Sequence, residues 1–430
     1  MLHFFILGSN RTLSAAEVAK VLPTGEFKLK CLNGQALIME TKENAGLDYA
    51  LLQKKLGGTI KIGRVFPDLT LNKTINLLPK GLKKIYFGFS VYKLSEETDF
   101  KGLERQIKNI SLDIKRKFKV KGISCRWVVS KKPDLSSVVI KKNKLLDQGA
   151  EIVLFKGKNR LLVGKTLSCQ EFEEYSFYDF ARPFRTIEKG MIPPKLGKIM
   201  INLSSCFKPE AVILDPFCGA GTILQQAILM GYKNIIGADN DQAAIQNTKK
   251  NLDWLLEKLK KRPSVESQED KNTPSQNIKI FKNDVRNISK NLPPRSVDAI
   301  VTEPYLGPLK FERQKSSAGA GGPAGAGGPA GVDKEIKKIS NLYIDAFKEF
   351  KKILKTNGRV VIIFPAYKIG KETRFLPILT DLEKVGWCLE PFLPAYLLKN
   401  PEIKITRRQS VIYSRPDQRI LREIFIFKLK

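Results

Sequence analysis

The chain has 430 residues, which at roughly 100–200 residues per domain predicts about two to four domains. Its 75 lysines and arginines against 43 aspartates and glutamates give a formal net charge of +32, which favours a polyanionic partner such as nucleic acid. The single histidine argues against histidine catalysis, and the six cysteines, which form no CxxC pair, argue against a bound metal. No apolar run reaches about 18 residues, which argues against membrane spans, so we expect a cytoplasmic protein.

The first segment predicts alternating short strands and helices. HFFILG is an apolar strand, and Ser14 with Glu17 three residues later has the pattern of a capping box for a helix reaching about Leu22. FKLKCL and QALIME follow as alternating strands, and DYALLQKKLGG is a helix closed by glycine. These elements together predict a small α+β module.

From about Gly81 to Cys169 the chain is strongly basic. KIYFGFSVYKL predicts a strand and FKGLERQIKNISLDIKRKFKVKG an amphipathic helix, before further strands or strand–helix alternation. A single lysine is best explained as a solvated surface residue, so only the cluster as a set indicates RNA binding. The cluster consists of Lys115, Arg116, Lys117, Lys119, Lys121, Arg126, Lys131, Lys132, Lys141, Lys142 and Lys144, with Phe118 and Trp127 interleaved.

After about residue 203, apolar β-rich runs alternate with amphipathic helices. The strands AVIL, NIIGA, IKIF, VDAIVT and RVVIIFP are separated by helices such as TILQQAILMG, and EIFIFKLK is a terminal strand. This alternation predicts a doubly wound parallel sheet covered on both faces. A polar insert at 261–277 and a Gly/Ala/Pro insert at 316–331, which repeats AGAGGP, are expected to be solvated loops without an assignable function.

The strongest local signal is AVILDPFCGAGTIL, in which a strand ends at Asp215 and a glycine-rich turn leads into a helix. Gly219 and Gly221 let the backbone approach a ligand at the carboxyl end of the strand, where open α/β sheets bind their ligands. Leu224 takes the third small position of a dinucleotide fingerprint, and no P-loop lysine is present. An acid before the glycines suits a cationic cofactor, so we predict S-adenosylmethionine contacted by Asp215, Phe217, Gly219 and Gly221.

Two later carboxylates support this cofactor. Asp239 ends the strand NIIGA, where it can accept hydrogen bonds from a ribose diol, and Asp284 follows IKIFKN, where it can meet the adenine amine. Each residue alone is explained equally well as a helix cap or a loop residue. Three carboxylates at successive strand ends favour the cofactor site.

The second signal is VDAIVTEPYLGP, in which Glu303, Pro304 and Tyr305 directly follow a strand. A carboxylate can hold an exocyclic amine, an aromatic ring can stack a base, and proline stiffens the turn. Taken alone, the pattern fits an ordinary turn, but its position relative to the glycine turn predicts that these three residues are catalytic in amine methylation. Cys218, inside the glycine turn, is better explained by packing, which disfavours a cysteine-based mechanism at a pyrimidine C5 atom.

These motifs resemble those of a known family. DPFCGAGTIL with the acid-Pro turn is similar to the N-methyltransferases that act on exocyclic amines. ARPFRTIEKGMIPPKLGKIMINL resembles the segment before the glycine motif in the THUMP-containing tRNA guanosine N2-methyltransferases, where it packs near the cofactor. LGGTIKIGR, SSVVIKKNKLLDQGAEIVLF and VGKTLSCQEFEEYSFYDFARPF are similar to upstream regions of that family, so the resemblance covers nearly the whole chain.

The resemblance implies a domain division, an activity and a partner. It implies an N-terminal ferredoxin-like α+β region at 1–65, a THUMP RNA-binding domain at 66–170, a linker at 171–203 and a Rossmann-like class I methyltransferase domain at 204–430. The implied reaction transfers a methyl group from S-adenosylmethionine to the N2 amine of a guanosine in tRNA, at position 10. The THUMP domain would hold the acceptor end of the tRNA, and we expect a monomer, with or without a small activator subunit.

The chain departs from the family at the catalytic turn, which is usually Asp-Pro-Pro-aromatic. Glu303 is one methylene longer, and either the aromatic has moved by one place to Tyr305 or Leu306 occupies its slot. The target base and the number of methyl groups therefore stay open. Three other functions also stay open at this point: methylation of guanine N2 in ribosomal RNA, amino methylation of DNA, and RNA binding without catalysis on a decayed methyltransferase fold.

Overall fold

The computed structural model describes residues 1–22, 25–42, 46–95, 98–185, 191–261, 276–308, 329–415 and 418–430. The chain forms two compact units, one of Met1–Tyr175 with Leu393–Lys404 and one of Ser176–Phe392 with Ile405–Lys430. Most of the two predicted loops, at 261–277 and 316–331, lies outside the described residues. Within the described ranges, no helix is both long and apolar enough to cross a bilayer.

The first unit is built on one mixed sheet. Its strands are β1 (Leu2–Leu7), β2 (Phe27–Asn33), β3 (Ala36–Thr41), β4 (Thr59–Phe66), β5 (Lys84–Lys93), β6 (Ser124–Val128), β7 (Gly149–Lys156) and β8 (Leu161–Cys169). Its helices are α1 (Arg11–Val21), α2 (Tyr49–Lys55), α3 (Leu103–Val120) and α4 (Ser137–Lys142), with a 3₁₀ turn at Leu71–Leu77 and with α5 (Phe172–Phe180) leading into the second unit.

The strand order of this sheet is β2-β3-β1-β4-β8-β7-β5-β6, and all neighbours are antiparallel except β5 with β6 and β5 with β7. Since β4 pairs with β8, strands from the predicted segments 1–65 and 66–170 share one sheet. Helix α3 buries Ile107, Ile114 and Phe118 against this sheet. The predicted boundary near residue 65, between the ferredoxin-like region and the THUMP domain, therefore falls within one continuous sheet. This domain division stays a prediction.

A buried polar network crosses four adjacent strands, β4, β8, β7 and β5. The ammonium of Lys61 on β4 contacts the carboxylate of Glu151 on β7 at 2.6 Å, and both side chains are fully buried. Ser90 on β5 and Thr166 on β8 also donate hydrogen bonds to Glu151. Because an unpaired buried charge is strongly destabilising, this network favours one pairing of the strands over alternatives.

The segment Leu393–Lys404 belongs to the first unit although the chain on both sides belongs to the second. Glu402 accepts a hydrogen bond from the backbone N–H of Gly34 at 2.7 Å and forms an ion pair with Arg11 at 2.5 Å. The amide of Asn400 donates to the carbonyl of Leu32 at 3.0 Å. The segment is thus fastened to the β2–β3 hairpin and to the start of α1.

The second unit contains a second sheet. Its strands are β9 (Val212–Asp215), β10 (Asn234–Asp239), β11 (Asn277–Lys282), β12 (Val297–Thr302), β13 (Leu354–Ile369), β14 (Glu372–Phe375), β15 (Trp387–Leu389), β16 (Val411–Tyr413) and β17 (Ile420–Leu429). Its helices are α6 (Pro194–Leu203), α7 (Thr222–Leu229), α8 (Gln242–Lys260), α9 (Pro329–Ile353) and α10 (Leu379–Val385), with a 3₁₀ turn at Val285–Lys290; α11 (Ala395–Leu398) lies in the returning segment of the first unit.

The order of this sheet is β11-β10-β9-β12-β13-β17-β15, and β11, β10, β9, β12 and β13 are mutually parallel. The chain moves outward from β9 to β11 and then resumes on the other side at β12. Since β–helix–β crossovers are right-handed, this reversal places the connecting helices on opposite faces. The sheet is the doubly wound arrangement that was predicted, and its switch point lies between β9 and β12.

Some local predictions need correction. Helix α1 begins at Arg11 with Asn10 as its cap, one turn before the predicted Ser14, because the side chain of Asn10 accepts a hydrogen bond from the N–H of Leu13 at 3.1 Å. Glu17 is not part of a capping box. Its buried carboxylate accepts hydrogen bonds from the backbone N–H groups of Gly57 and Gly58, both at 2.8 Å.

Candidate active site

The glycine turn lies at the switch point, between the end of β9 and the start of α7. Side chains of α8 hold its backbone: the hydroxyl of Thr248 donates to the carbonyl of Gly219 at 2.8 Å, and the amide of Asn251 donates to the carbonyl of Ala220 at 2.9 Å. The N–H of Cys218 donates to the carbonyl of Ala238 on β10 at 2.9 Å. The turn is therefore fixed before any ligand arrives.

Two left-handed glycines shape the space beside the turn. Gly219 has φ +53° and a Cβ built on it would meet no atom within 4 Å, so the backbone borders open space. Gly221 has φ +77°, and a Cβ there would lie 3.0 Å from the methyl group of Thr248. Gly219 thus leaves room for a ligand, and Gly221 allows α8 to pack closely against the turn. A cofactor cradle of the kind predicted from the sequence needs both features.

Asp215 ends β9 with a buried carboxylate. The hydroxyl of Thr302, the last residue of β12, donates to it at 2.6 Å, and the N–H of Phe217 donates to the same oxygen at 3.2 Å. Burial raises the pKa of Asp215 to about 7, and these two hydrogen bonds oppose the rise. The contact with Thr302 joins the glycine turn to the residue just before Glu303.

Asp239 and Asp284 have different surroundings. The carboxylate of Asp239 accepts hydrogen bonds from the N–H groups of Gly219 and Asp241, both at 3.0 Å, so it lies against the glycine turn. Burial raises its pKa. Asp284 instead forms an ion pair with Arg286 at 2.5 Å, which lowers its pKa, and caps the following 3₁₀ turn. The predicted contact of Asp284 with adenine requires that the guanidinium share or release this carboxylate.

Glu303 is held by an arginine from a distant part of the chain. The Nε atom of Arg422, on β17, donates to an Oε atom of Glu303 at 2.5 Å, and the side chains are 5% and 12% exposed, respectively. Burial raises the pKa of Glu303, whereas the charge and the hydrogen bond of Arg422 act to lower it. The guanidinium thus favours the ionised carboxylate inside a nearly closed site.

The turn after Glu303 is held through its backbone. The hydroxyl of Tyr343 on α9 donates to the carbonyl of Tyr305 at 3.1 Å, and the hydroxyl of Tyr367 on β13 donates to the carbonyl of Leu306 at 2.7 Å. Pro304 is buried, while the side chain of Tyr305 is 49% exposed. A buried, rigid turn therefore presents one accessible aromatic ring next to a buried carboxylate.

The segment before α6 also reaches the glycine turn, as its resemblance implies. The buried guanidinium of Arg182 donates to the hydroxyl of Thr222, the first residue of α7, at 2.8 Å and pairs with Asp179 at 2.7 Å. Asn251 accepts a hydrogen bond from the N–H of Phe184 at 2.9 Å. Residues 186–190 of this segment lie outside the described residues.

The structure brings most predicted site residues to one edge of the sheet. Asp215, Gly219 and Asp239 are linked by hydrogen bonds around the glycine turn, and Thr302 connects this group to Glu303 along the chain. Asp284 follows β11 at the same edge but is bonded to Arg286. The sequence analysis missed the supporting residues. These are Arg182, Thr248, Asn251, Thr302, Tyr343, Tyr367 and Arg422.

Comparison with known proteins agrees with this geometry. Residues 182–316 match the family model described as an RMKL-like methyltransferase domain. This part of the chain is a methyltransferase domain. The match contains the glycine turn, the three strand-end aspartates Asp215, Asp239 and Asp284, and the Glu303 turn.

Two curated relatives extend the likeness. The tRNA (guanine(10)-N2)-dimethyltransferase of Methanothermobacter thermautotrophicus is 34% identical over 126 residues, which are 29% of this chain and 30% of the relative. The enzyme of the same name from Methanocaldococcus jannaschii is 35% identical over 141 residues, 32% of this chain and 35% of the relative. The alignments thus span about a third of these relatives' lengths.

A solved structure supports the fold over a longer range. TrmN from Thermus thermophilus has a TM-score of 0.51 and 12% sequence identity, with all of both chains covered. At this identity the likeness concerns the fold alone. It includes the methyltransferase domain together with the region before it.

Proposed function

We propose that this protein transfers a methyl group from S-adenosylmethionine to the exocyclic N2 amine of a guanosine in tRNA, at position 10. The observation that carries the proposal is the joining of the glycine cradle to the Glu303 turn through the contact between Asp215 and Thr302. The names of the relatives aligned over about a third of their lengths support the choice of a tRNA guanosine. We place the reaction in the cytoplasm, on a monomer in which the N-terminal unit supplies a THUMP-type grip on the tRNA acceptor end.

The cofactor fits the residues at the cradle. The backbone at Gly219 borders open space, and the carboxylate of Asp239 lies beside it, where it can accept from a ribose diol. Asp215 and Phe217 would line the same side, and Asp284 would face the adenine. When bound, S-adenosylmethionine supplies an electrophilic methyl group on a sulfonium.

The chain's own groups would hold the target amine. The carboxylate of Glu303 would accept one N–H of the guanine amine and the backbone carbonyl of Pro304 the other, so that the nitrogen lone pair faces the methyl group. Tyr305 would stack on the base, which must leave any helical stack to reach the buried carboxylate. The amine held in this way would accept the methyl group, forming the carbon–nitrogen bond as the carbon–sulfur bond of the cofactor breaks, and would then lose a proton to solvent.

The test is transfer of labelled methyl groups to unmodified tRNA, with ribosomal RNA and duplex DNA in parallel, followed by nucleoside analysis. We expect label in N2-methylguanosine or its dimethylated form from tRNA. Asp239→Ala should abolish cofactor binding, whereas Glu303→Gln should retain cofactor binding and lose at least about 100-fold in kcat, because the amine loses its charged acceptor. Label appearing only in DNA or ribosomal RNA would contradict the proposal that tRNA is the substrate. Failure to bind S-adenosylmethionine would contradict the proposal that the protein is a methyltransferase.

A further inference from the structure

Strand β13 continues well past the site. Its pairing with β12 ends where Thr302 lies opposite Ile362, yet the strand runs on to Ile369. The additional residues pair with β14 on one side and with the beginning of β17 on the other, and β17 in turn pairs with β16. We call this part the edge extension, which comprises 363–375, 411–415 and 418–422.

The edge extension is attached directly to the proposed catalytic turn. Tyr367, on its β13 part, donates to the carbonyl of Leu306, and Arg422, on its β17 part, donates to Glu303. Since residues rise about 3.3 Å along a strand and neighbouring strands lie about 4.8 Å apart, the extension begins within about 10 Å of the target carboxylate. Whatever surrounds the target base therefore lies over this surface.

Four exposed cations lie at its outer end. Lys368 and Arg419 are adjacent, because the N–H of Lys368 donates to the carbonyl of Arg419 at 2.8 Å. Lys371 is in the turn between β13 and β14, and Arg415 follows β16. No acidic side chain among the described residues forms an ion pair with any of the four.

Other charges on this part of the chain are largely neutralised. Arg374 on β14 is paired with Asp333 at 2.5 Å, and Arg422 is paired with Glu303. Glu372 is the one exposed carboxylate among the described residues of the extension, and Asp417 lies between its last two ranges in the sequence, so four cations against two carboxylates leave an excess of +2. Elsewhere in this unit some exposed lysines, such as Lys233 and Lys348, are paired with carboxylates, whereas other described ones, such as Lys208, are not. The four cations differ from these in belonging to the edge extension, whose strands contact the Glu303 turn.

We propose that the edge extension binds the phosphate backbone of the RNA next to the target nucleotide, as a nucleic-acid contact separate from the basic cluster of the N-terminal unit. Unpaired lysines and arginines release counterions when they meet phosphates, and this supplies affinity without sequence preference. An RNA strand held here would place the flipped base over Tyr305. The inference rests on the proposed function for the identity of the RNA, but the charge argument is independent of methyl transfer.

The test uses the full chain and measures binding of unmodified tRNA by fluorescence anisotropy over a range of salt concentrations. The variant is Lys368→Ala/Lys371→Ala/Arg419→Ala. Its matched control is Lys208→Ala/Lys290→Ala/Lys260→Ala, three exposed lysines that precede β9, precede β12 and end α8, at the opposite edge of the sheet. Binding of S-adenosylmethionine and kcat at saturating tRNA are measured on all three proteins.

We expect the Kd for tRNA to rise at least about tenfold in the variant and less than about twofold in the control. The slope of log Kd against log salt should fall by about 2 to 3, since each lost phosphate contact contributes about 0.7 to 0.9. Binding of S-adenosylmethionine should stay unchanged. Equal Kd values and salt slopes in variant and control would overturn the proposal, as would a wild-type protein that does not bind tRNA.

The two proposals fail in different ways. If wild-type protein binds tRNA through the extension but transfers no methyl group to it, the proposed reaction is wrong and the binding surface stands. If methyl transfer occurs and the variant binds tRNA like the control, the reaction stands and the surface is wrong.

Discussion

At the scale of single residues, the pair of Glu303 and Arg422 decides how the acid can act. The carboxylate is one methylene longer than the aspartate usual at this position of the resembling family, and a longer side chain has more conformational freedom. The hydrogen bond from Arg422 at 2.5 Å restricts that freedom by holding one carboxylate oxygen. Because the arginine lies 119 positions later in the chain, no local pattern could predict the pairing.

Replacing Arg422 should therefore change both rate and pH dependence. Arg422→Met removes the charge that lowers the pKa of Glu303, so the carboxyl stays protonated to higher pH. We expect kcat to fall about tenfold or more at neutral pH, with the acid limb of the pH–rate profile moved to higher pH.

The pH–rate profile of methyl transfer to tRNA measures this, with cofactor affinity as a second readout. Arg422→Lys should recover part of the rate, since it restores the charge without the planar guanidinium. Arg359→Met breaks a similar ion pair, with Glu390, elsewhere in the same sheet and serves as the control. A profile that falls in height but keeps its shape would show that Arg422 acts only on folding.

At the scale of elements, the turn that follows β12 depends on two tyrosines. Gly307 has φ +98°, and a Cβ at this position would lie 2.6 Å from the hydroxyl oxygen of Tyr367. The same hydroxyl holds the carbonyl of Leu306. The turn EPYLGP thus needs glycine at position 307 for two reasons, the left-handed backbone conformation and the close approach of Tyr367.

Gly307→Ala should distort this turn. The left-handed conformation costs about 1–2 kcal/mol for a residue with a Cβ, and the contact with Tyr367 adds to it. We expect kcat for tRNA to fall about tenfold with cofactor affinity unchanged. Gly231→Ala, at φ +89° with open space around the Cβ, is the control for backbone strain alone.

Adding Tyr367→Phe to Gly307→Ala separates the two causes. If crowding contributes, the double variant should be more active than Gly307→Ala, because the clashing oxygen is gone. A double variant that is no more active would assign the loss to the backbone.

The regular elements were predictable to different degrees. Apolar runs such as AVIL and RVVIIFP predict β9 and most of β13 because a parallel sheet covered on both faces needs continuous apolar strands. The predicted start of α1 is wrong because Asn10 and Ser14 both fit the preferences of a cap, and their contacts distinguish them: Asn10 accepts from the N–H of Leu13, whereas Glu17 bonds to Gly57 and Gly58. Strands β14 and β16 have only 4 and 3 residues, which is too short for an alternating pattern of apolar and polar residues to be detected.

At the scale of the whole molecule, the division of the chain differs from a simple succession of domains. The unit that begins at Met1 also contains Leu393–Lys404. Nothing in the composition of this short segment marks it as part of a distant sheet, since its role depends on individual hydrogen bonds to the hairpin of β2 and β3. The same holds for the site. The strand-end acids and the glycines of the turn could be predicted from local sequence, whereas partners distant in the chain, such as Arg422, could not.

Glu402 provides a direct test of that segment. Glu402→Ala removes the acceptor of the Gly34 N–H and the partner of Arg11. We expect the first unit to lose about 1.5–3 kcal/mol of its free energy of unfolding, the usual range for a hydrogen bond to a charged group. Amide hydrogen exchange should increase in β2, β3 and Gly34.

The control for this prediction is Glu383→Ala, which breaks an exposed ion pair with Lys430 in the second unit. It should leave exchange in the first unit unchanged, because surface pairs contribute little. Unchanged exchange at Gly34 in Glu402→Ala would show that the segment does not stabilise the hairpin.

The fastening of 393–404 to the hairpin also bears on how the protein is made. A nascent chain emerges from the ribosome from its N-terminus, and early domains usually fold before later ones are synthesised. Here the first sheet receives the contacts of 393–404 only after Ser176–Phe392 of the second unit have been translated. Until then, the backbone N–H of Gly34 and the guanidinium of Arg11 lack Glu402 as their acceptor. The first unit therefore completes its folding only after most of the second unit has been synthesised.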